Sequence, residues 1–161
     1  MEMRRKDRSR GKEFSLELID RCTHGVMALT TGEDTPYCLP LSLVRVGDAL
    51  YFHCAHQGRK VELMRTNPKV CVTFVGGDRP AYLDKGEYTT FFQSVIVTGT
   101  VQEVTDDGEK TEALRALCQK LTPQAMDGDK FEQAVSRSLP ATGVWRIDME
   151  EISGKEKAPK V

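Results

Sequence analysis

The longest strand candidate in the chain runs from Tyr88 to Val104. Such a strand needs partners for its backbone N–H and C=O groups along its whole length. Shorter candidates lie at Gly25 to Thr31, Tyr37 to Val46, Ala49 to His53, Lys69 to Val75 and Gly143 to Ile152. In Lys69–Val75 the apolar Val70, Val72 and Phe74 fall on one face, the period-two pattern of a half-buried strand. Pro40 predicts an edge or a bulge in its strand, because proline has no N–H to give a ladder. Gly47-Asp48 predicts a tight hairpin into Ala49–His53. Several strands joined by hairpins, with a few peripheral helices, predict a mainly β, antiparallel barrel.

The helical signals are short. Glu13 to Cys22 places Phe14, Leu18 and Cys22 on one face. Arg59 to Thr66 carries Val61 and Met64 inward, and Asn67-Pro68 stops it. Asp106 and Glu109 resemble a capping box for a helix with a Leu114, Leu117, Cys118 and Leu121 stripe. Phe131, Val135 and Leu139 predict one more. Gly76, Gly77, Pro80 and Gly86 predict a loop from Gly76 to Glu87, long enough for a lid or a partner contact.

A chain of 161 residues suits one domain, read here as 13–161 behind a basic arm at 1–12. Hydrophobic residues at 39% and charged residues at 29% fit a globular protein in water. No apolar run approaches the roughly 20 residues that span a bilayer, and no apolar h-region opens the chain. The expectation is therefore a cytoplasmic protein with no membrane partner. The net charge of −1 argues against a general nucleic-acid binder. The arm is nonetheless basic, with Arg4, Arg5, Lys6, Arg8, Arg10 and Lys12 against Glu2 and Asp7. Such an arm binds nucleic acid or an acidic surface, or stays a solvated tail. The five cysteines are odd in number, spread out and without a Cys-x-x-Cys, which predicts reduced core thiols.

One segment carries a chemical signal. Phe52-His53-Cys54-Ala55-His56-Gln57-Gly58-Arg59-Lys60 leaves a strand and enters a helix with two adjacent cations. A helix N-terminus presents unpaired N–H groups and a positive dipole end, and so favours an anion. Arg59 adds a donor fork and Lys60 a point charge, which together suit a phosphate. The same residues also suit a solvated first turn. His53-Cys54-Ala55-His56 invites a metal reading, but no distant Cys or His pair completes it with familiar spacing. No His–Asp arrangement is spaced to activate a cysteine nucleophile, so no catalytic residue is named.

Further segments extend the pattern: Met3-Arg4-Arg5-Lys6-Asp7, Tyr37-Cys38-Leu39-Pro40-Leu41-Ser42, Leu50 to Ala55, Asn67-Pro68-Lys69-Val70-Cys71, Tyr88 to Val97, and Ile152-Ser153-Gly154-Lys155-Glu156. In this order they resemble the pyridoxamine 5′-phosphate oxidase superfamily of FMN-binding split barrels, and most closely its nitroimidazole-resistance (Nim-type) flavoproteins. The resemblance implies a six-stranded Greek-key split barrel and a homodimer with FMN at the interface. It places the FMN phosphate on Gly58, Arg59 and Lys60. It sets His53, Cys54 and Ala55 at the strand end that reaches the cofactor, and Leu39, Pro40, Leu41 and Ser42 along the flavin ring. Ser94 matches a glutamine that touches the ring in the oxidases. Gly154 matches a late glycine, but the adjacent tryptophan is absent, and Trp145 reads as core or interface.

The chain departs from the family pattern in three ways. Cys54 replaces a hydroxyl with a weaker donor. Gly58 replaces a serine. Arg59 stands where some Nim-type relatives have histidine. The implied function is an FMN-dependent oxidoreductase that reduces a small acceptor such as a nitroimidazole or another nitro-aromatic. One alternative is a non-catalytic protein that binds, stores or senses FMN or haem. Another is pyridoxamine 5′-phosphate oxidase itself, although its late substrate-phosphate arginine and histidine have no clear match. A third, weaker one is a nucleic-acid-associated regulator acting through the arm.

Overall fold

The computed structural model of the protein describes residues 3–84 and 86–159. The strands are β1 (Ser9–Arg10), β2 (His24–Leu29), β3 (Tyr37–Ser42), β4 (Val44–Val46), β5 (Ala49–Cys54), β6 (Lys69–Leu83), β7 (Glu87–Glu103) and β8 (Gly143–Lys157). The α-helices are α1 (Lys12–Arg21), α2 (Arg59–Thr66), α3 (Asp107–Leu121) and α4 (Lys130–Ser138). All strands belong to one antiparallel sheet in the order β3-β2-β6-β7-β8-β5-β4, with β1 added on β8.

The sheet has to curl. β3 and β4 lie at opposite ends of the strand order, yet only Leu43 separates them in the chain. One residue spans at most about 3.6 Å, so the two ends of the sheet are drawn together there. They meet without a ladder between β3 and β5, which makes the barrel split. The expected Tyr37–Val46 strand is therefore two strands. That break and the two-residue β1 give eight strands where six were expected. Pro40 sits on outermost β3, opposite Val26, as an edge proline should.

Leu43 at this corner is fully buried. Its carbonyl accepts a hydrogen bond from Lys120 Nζ at 2.9 Å, and the same ammonium donates to the Ile19 carbonyl at 3.1 Å. One half-buried cation thus ties α3 to the corner and to α1. Burial pushes the Lys120 amine below its ordinary range.

The barrel interior is filled from alternate strand positions: Met27, Leu29, Leu50, Phe52, Val72, Phe74, Val95, Val97, Trp145 and Ile147. Leu18 and Ile19 of α1 and Val61 and Met64 of α2 complete this cluster. A second cluster lies outside β4, β5 and β8. There Val44, Ala49, Tyr51 and Val144 pack under Ala113, Leu114 and Leu117 of α3 and Phe131 of α4. β5 is accordingly buried on both faces, which explains its unbroken apolar run from Ala49 to Phe52. Asp106 caps α3 by accepting from the Glu109 N–H at 2.8 Å. Glu109 does not return the bond; its carboxylate takes the Tyr51 hydroxyl at 2.9 Å.

Two expectations are corrected. Gly76 to Glu87 is mostly a hairpin rather than a loop: β6 continues to Leu83 and pairs with β7 as far as Leu83 opposite Glu87. The glycines are absorbed in a bulge between Gly76 and Arg79, with Gly77 at φ +60°. Pro80 is tolerated because β2 pairs with β6 only through Thr73, leaving that edge open. The aromatic and β-branched residues Tyr88 to Phe91 supply the partner strand. The cysteines stand at the margin of the core rather than inside it, with Cys22, Cys54 and Cys118 packed against its two clusters. Cys38 is exposed and the other four are half-buried. Cys38 and Cys71 flank Ala28 from either side, out of phase with the inward Leu41, Val70 and Val72. None of the five is in a disulfide.

Of the arm, Lys6–Arg8 forms a 3₁₀ turn and Ser9–Arg10 pairs with Lys155 and Gly154 of β8. Arg10 Nε also binds Glu156 Oε2 at 2.7 Å. Met1 and Glu2 lie outside the described residues. Among the described residues no helix is long and apolar enough to cross a membrane.

Replacing Lys120 with Met is expected to lower unfolding stability by roughly 1.5–3 kcal/mol, because two buried carbonyls lose a charged donor. Urea denaturation of the two proteins checks this. A pH effect is also expected. Arg65 holds the Glu103 carboxyl below its ordinary range, and Gln93 and then Arg10 do the same for Glu156. Carboxyls lowered in the folded state contribute fully above the unfolded value of about 4.3 and lose that contribution as pH falls through the folded values. The melting temperature should therefore be flat near neutrality and fall in acid. Glu103→Gln combined with Glu156→Gln should make that fall shallower.

Candidate functional site

The phosphate-type segment lies at the split between β3 and β5. β5 ends at Cys54, and Ala55-His56-Gln57 turns the chain into Gly58, the N-cap of α2. Gly58 has φ +115° and ψ 166°, a backbone region that side chains rarely allow. Space is not the constraint, since an added Cβ would meet nothing within 4 Å. The Gly58 carbonyl accepts from the Val61 N–H at 2.9 Å and the Glu62 N–H at 3.2 Å, which opens the helix. No side chain caps this turn. Its first N–H groups are left for water or an anion.

The two cations are held over aromatic rings. The Arg59 guanidinium lies 5.4 Å from the Tyr37 ring centroid and 3.9 Å from the Glu33 carboxylate. Lys60 Nζ lies 5.8 Å from the Phe52 ring centroid. Lys60 also faces the Cys54 thiol, which burial pushes up while Lys60 pulls it down. Both cations can therefore meet an anion without first breaking a buried ion pair.

Strand alternation divides the residues at the end of β5. Leu50, Phe52 and Cys54 face the barrel interior and α2, whereas Ala49 and Tyr51 face α3. His53 is in phase with the second set and exposed. Its side chain leaves the Lys60 side, and only its backbone stays near. Ala55 is exposed in the turn. On β3, Leu39 is half-buried, Leu41 is buried, and Pro40 and Ser42 are exposed. As an outermost strand, β3 has backbone groups directed away from β2 toward the split.

Ser94 does not join this group within one chain. Lys60 covers Phe52, which pairs with Trp145, which pairs with Glu103 of β7. Ser94 lies nine residues back along β7, roughly 30 Å at the usual strand rise. It sits between Val75 of β6 and Lys155 of β8. Gly154 is beside it, opposite Val95.

A supporting layer was not legible in the segment itself. His56 Nε2 lies 3.2 Å from the Pro140 carbonyl, and Nδ1 lies 3.5 Å from Glu103. Arg65 binds Glu103 at 2.8 Å and covers the Trp145 ring at 5.9 Å. These contacts pin the turn between β5 and α2. Trp145 is core, and among the described residues the Cys54 thiol is what its buried Nε1 has near it in place of a nitrogen or oxygen partner. Tyr37, Glu33, Glu103 and Trp145 are distant in sequence from Arg59 and Lys60, so no local spacing could have found them. Among the described residues no cluster of His, Cys, Asp and Glu could hold a metal ion.

The arrangement is suited to grip a small phosphate-bearing ligand and to lay a flat group along the β3 edge. Many solved structures share this fold, among them the following three. One is a candidate 5-nitroimidazole antibiotic resistance protein from Bacteroides thetaiotaomicron, with 24% identity, a TM-score of 0.77, and coverage of 91% of this chain and 84% of that one. A flavocytochrome from Azotobacter vinelandii matches at 21% identity and a TM-score of 0.77, over 98% of this chain and 73% of its own. An FAD- and haem-binding protein from Mycobacterium smegmatis matches at 21% and 0.77, over 92% and 72%. No curated protein matches the sequence. The sequence profile described as pyridoxamine 5′-phosphate oxidase matches residues 12–156, nearly the whole chain, and the protein therefore belongs to that family.

Proposed function

We propose that the protein is an FMN-binding flavoprotein and an oxidoreductase that passes electrons to a small acceptor of the nitro-aromatic class. The observation that carries this reading is the uncapped start of α2, where Gly58, Arg59 and Lys60 present backbone N–H groups and two cations. Arg59 and Lys60 hold the phosphate. The backbone of Leu39, Pro40, Leu41 and Ser42 borders the ring, and Cys54 and the backbone of His53 and Ala55 close the near side. A bound flavin supplies the redox chemistry, while the chain binds and orients it.

Ser94 reaches such a ring only from a second copy, since in its own chain it stands far along β7. The site is thus shared in a homodimer. The outer face of β2 and β6 suits that contact, with Val26 43% and Val75 60% exposed. This reading treats residues 13–161 as one domain and residues 1–12 as an arm against it, acting in the cytoplasm.

A second reading is a protein that carries or senses a flavin or haem without turnover. It draws on the named cofactors of the flavocytochrome and of the FAD- and haem-binding relative. An absorption spectrum of purified protein, with mass analysis of the released ligand, separates FMN from FAD and from haem. Faster reoxidation of the reduced protein than of free flavin by a nitro-aromatic supports the oxidoreductase; equal rates favour the carrier.

Arg59→Ala combined with Lys60→Ala is expected to weaken FMN binding by ten- to a hundredfold, or roughly 1.5–3 kcal/mol. Arg59 is exposed and Lys60 is half-buried, and neither is in a buried ion pair, so the circular dichroism spectrum should not change. Flavin fluorescence titration reads the affinity, and an unchanged value in the folded variant would remove this site.

A further inference from the structure

Cys54 ends β5 and Lys60 stands in the first turn of α2, and the two side chains meet across the turn that joins these elements. The ammonium is within hydrogen-bonding reach of the thiol. We infer that this pair is a modification site: hydrogen peroxide oxidises Cys54, and Lys60 captures the oxidised sulfur as a sulfenamide, a covalent S–N link between β5 and α2.

The surroundings single out this cysteine. A donor already faces the place where an oxygen would be added. Trp145 is 2% exposed, and its Nε1 has no nitrogen or oxygen partner and is turned to the Cys54 sulfur. A buried N–H without a good acceptor is costly, and an oxygen on the sulfur supplies one. Gly143 lies opposite Cys54 and keeps the spot clear of a side chain. A Cβ there would come within 3.1 Å of the Cys54 carbonyl and 3.5 Å of Trp145 Nε1.

The amine is available as well. Lys60 Nζ covers the Phe52 ring at 5.8 Å and has no carboxylate partner among the described residues. Cys22 is the contrast. Lys120 acts on it, but that ammonium is held by the Ile19 and Leu43 carbonyls, and the Cys22 thiol donates to the Val75 carbonyl at 3.5 Å. Cys38 acts on Cys71, whereas no second thiol acts on Cys54 among the described residues. A sulfenic acid at Cys54 therefore lacks a disulfide partner and condenses with nitrogen instead.

Cys54 is half-buried and open to a molecule as small as peroxide. Burial pushes its thiol up, and Lys60 is foremost among the groups that pull it down. The thiolate is the reacting form, so oxidation is slow and depends on Lys60. In the first step the sulfur attacks a peroxide oxygen. The S–O bond forms, the O–O bond breaks, and the departing hydroxide leaves as water with the thiol proton. Sulfur is oxidised by two electrons and the peroxide is reduced. In the second step Lys60, having given its extra proton to solvent, attacks the sulfur through nitrogen. The S–N bond forms, the S–O bond breaks, and the hydroxide leaves as a second water with a proton from nitrogen. The link removes the Lys60 charge and ties its end to β5. Its effect on flavin binding rests on the phosphate reading of α2, whereas the link itself does not.

The test treats full-length protein without added flavin with hydrogen peroxide and maps its peptides by tandem mass spectrometry. The expected product joins the Cys54 peptide to the Lys60 peptide, is two hydrogens lighter than their sum, and is separated by dithiothreitol. Cys54→Ser and Lys60→Arg should each abolish it, the second because a guanidinium keeps the charge but is a poor nucleophile. In wild type the link should weaken FMN binding by about tenfold, the effect of one lost charge-assisted contact, and dithiothreitol should restore it. A link with unchanged FMN affinity would support the modification site and count against the phosphate reading. The inference is overturned if peroxide leaves the two residues unjoined, if wild-type Cys54 runs on to sulfinic acid with Lys60 free, or if the same cross-link forms in Lys60→Arg.

Discussion

Leu43 is one residue long as a connection, and it joins two strands at opposite ends of a seven-strand order. That covalent constraint forces the sheet to close on itself. Closure creates a buried carbonyl that belongs to no ladder, and Lys120 satisfies it together with the Ile19 carbonyl. An ammonium suits this task because three donors on a long stem can serve two elements at once. The helix α3 that brings Lys120 also covers the outer face of β5. The corner, the cover and the position of β5 are therefore one problem with one solution.

The position of β5 in turn determines the phosphate-type segment. Because β5 is clamped between the barrel interior and α3, its end at Cys54 is fixed, and α2 starts from a defined point. Gly58 then provides the backbone angle at which the chain can turn. The split beside β3 leaves a strand edge open next to the two cations. Had β3 and β5 paired, the barrel would be closed and that edge consumed.

Much of this was legible locally. The α2 helix spans the expected Arg59–Thr66, stopped by Asn67-Pro68, and the Gly47-Asp48 hairpin and the edge role of Pro40 follow from turn and ladder chemistry. These depend on neighbours in sequence. The β6 extension was not legible, because Gly76, Gly77 and Pro80 are turn signals until a partner strand is present. Once Tyr88 to Phe91 lie opposite, the ladder outweighs the local preference, and the glycines become a bulge. The candidate site divides in the same way. Gly58, Arg59 and Lys60 stand together in the sequence. Tyr37 and Glu33 beside Arg59, the Lys60–Cys54 proximity and the separation of Ser94 come from packing.

The sequence by itself determined where most strands and the helices lie, and which short segment concentrates positive charge at a helix start. It did so because those features rest on backbone sterics and on residues within a few positions of one another. Only the tertiary structure decided which strand faces meet, that His53 and Cys54 point apart, that Arg21 meets Gln93 of β7, and that one lysine secures the corner. Those outcomes depend on contacts between residues tens of positions apart, where burial and hydrogen-bond satisfaction are settled jointly by the whole chain.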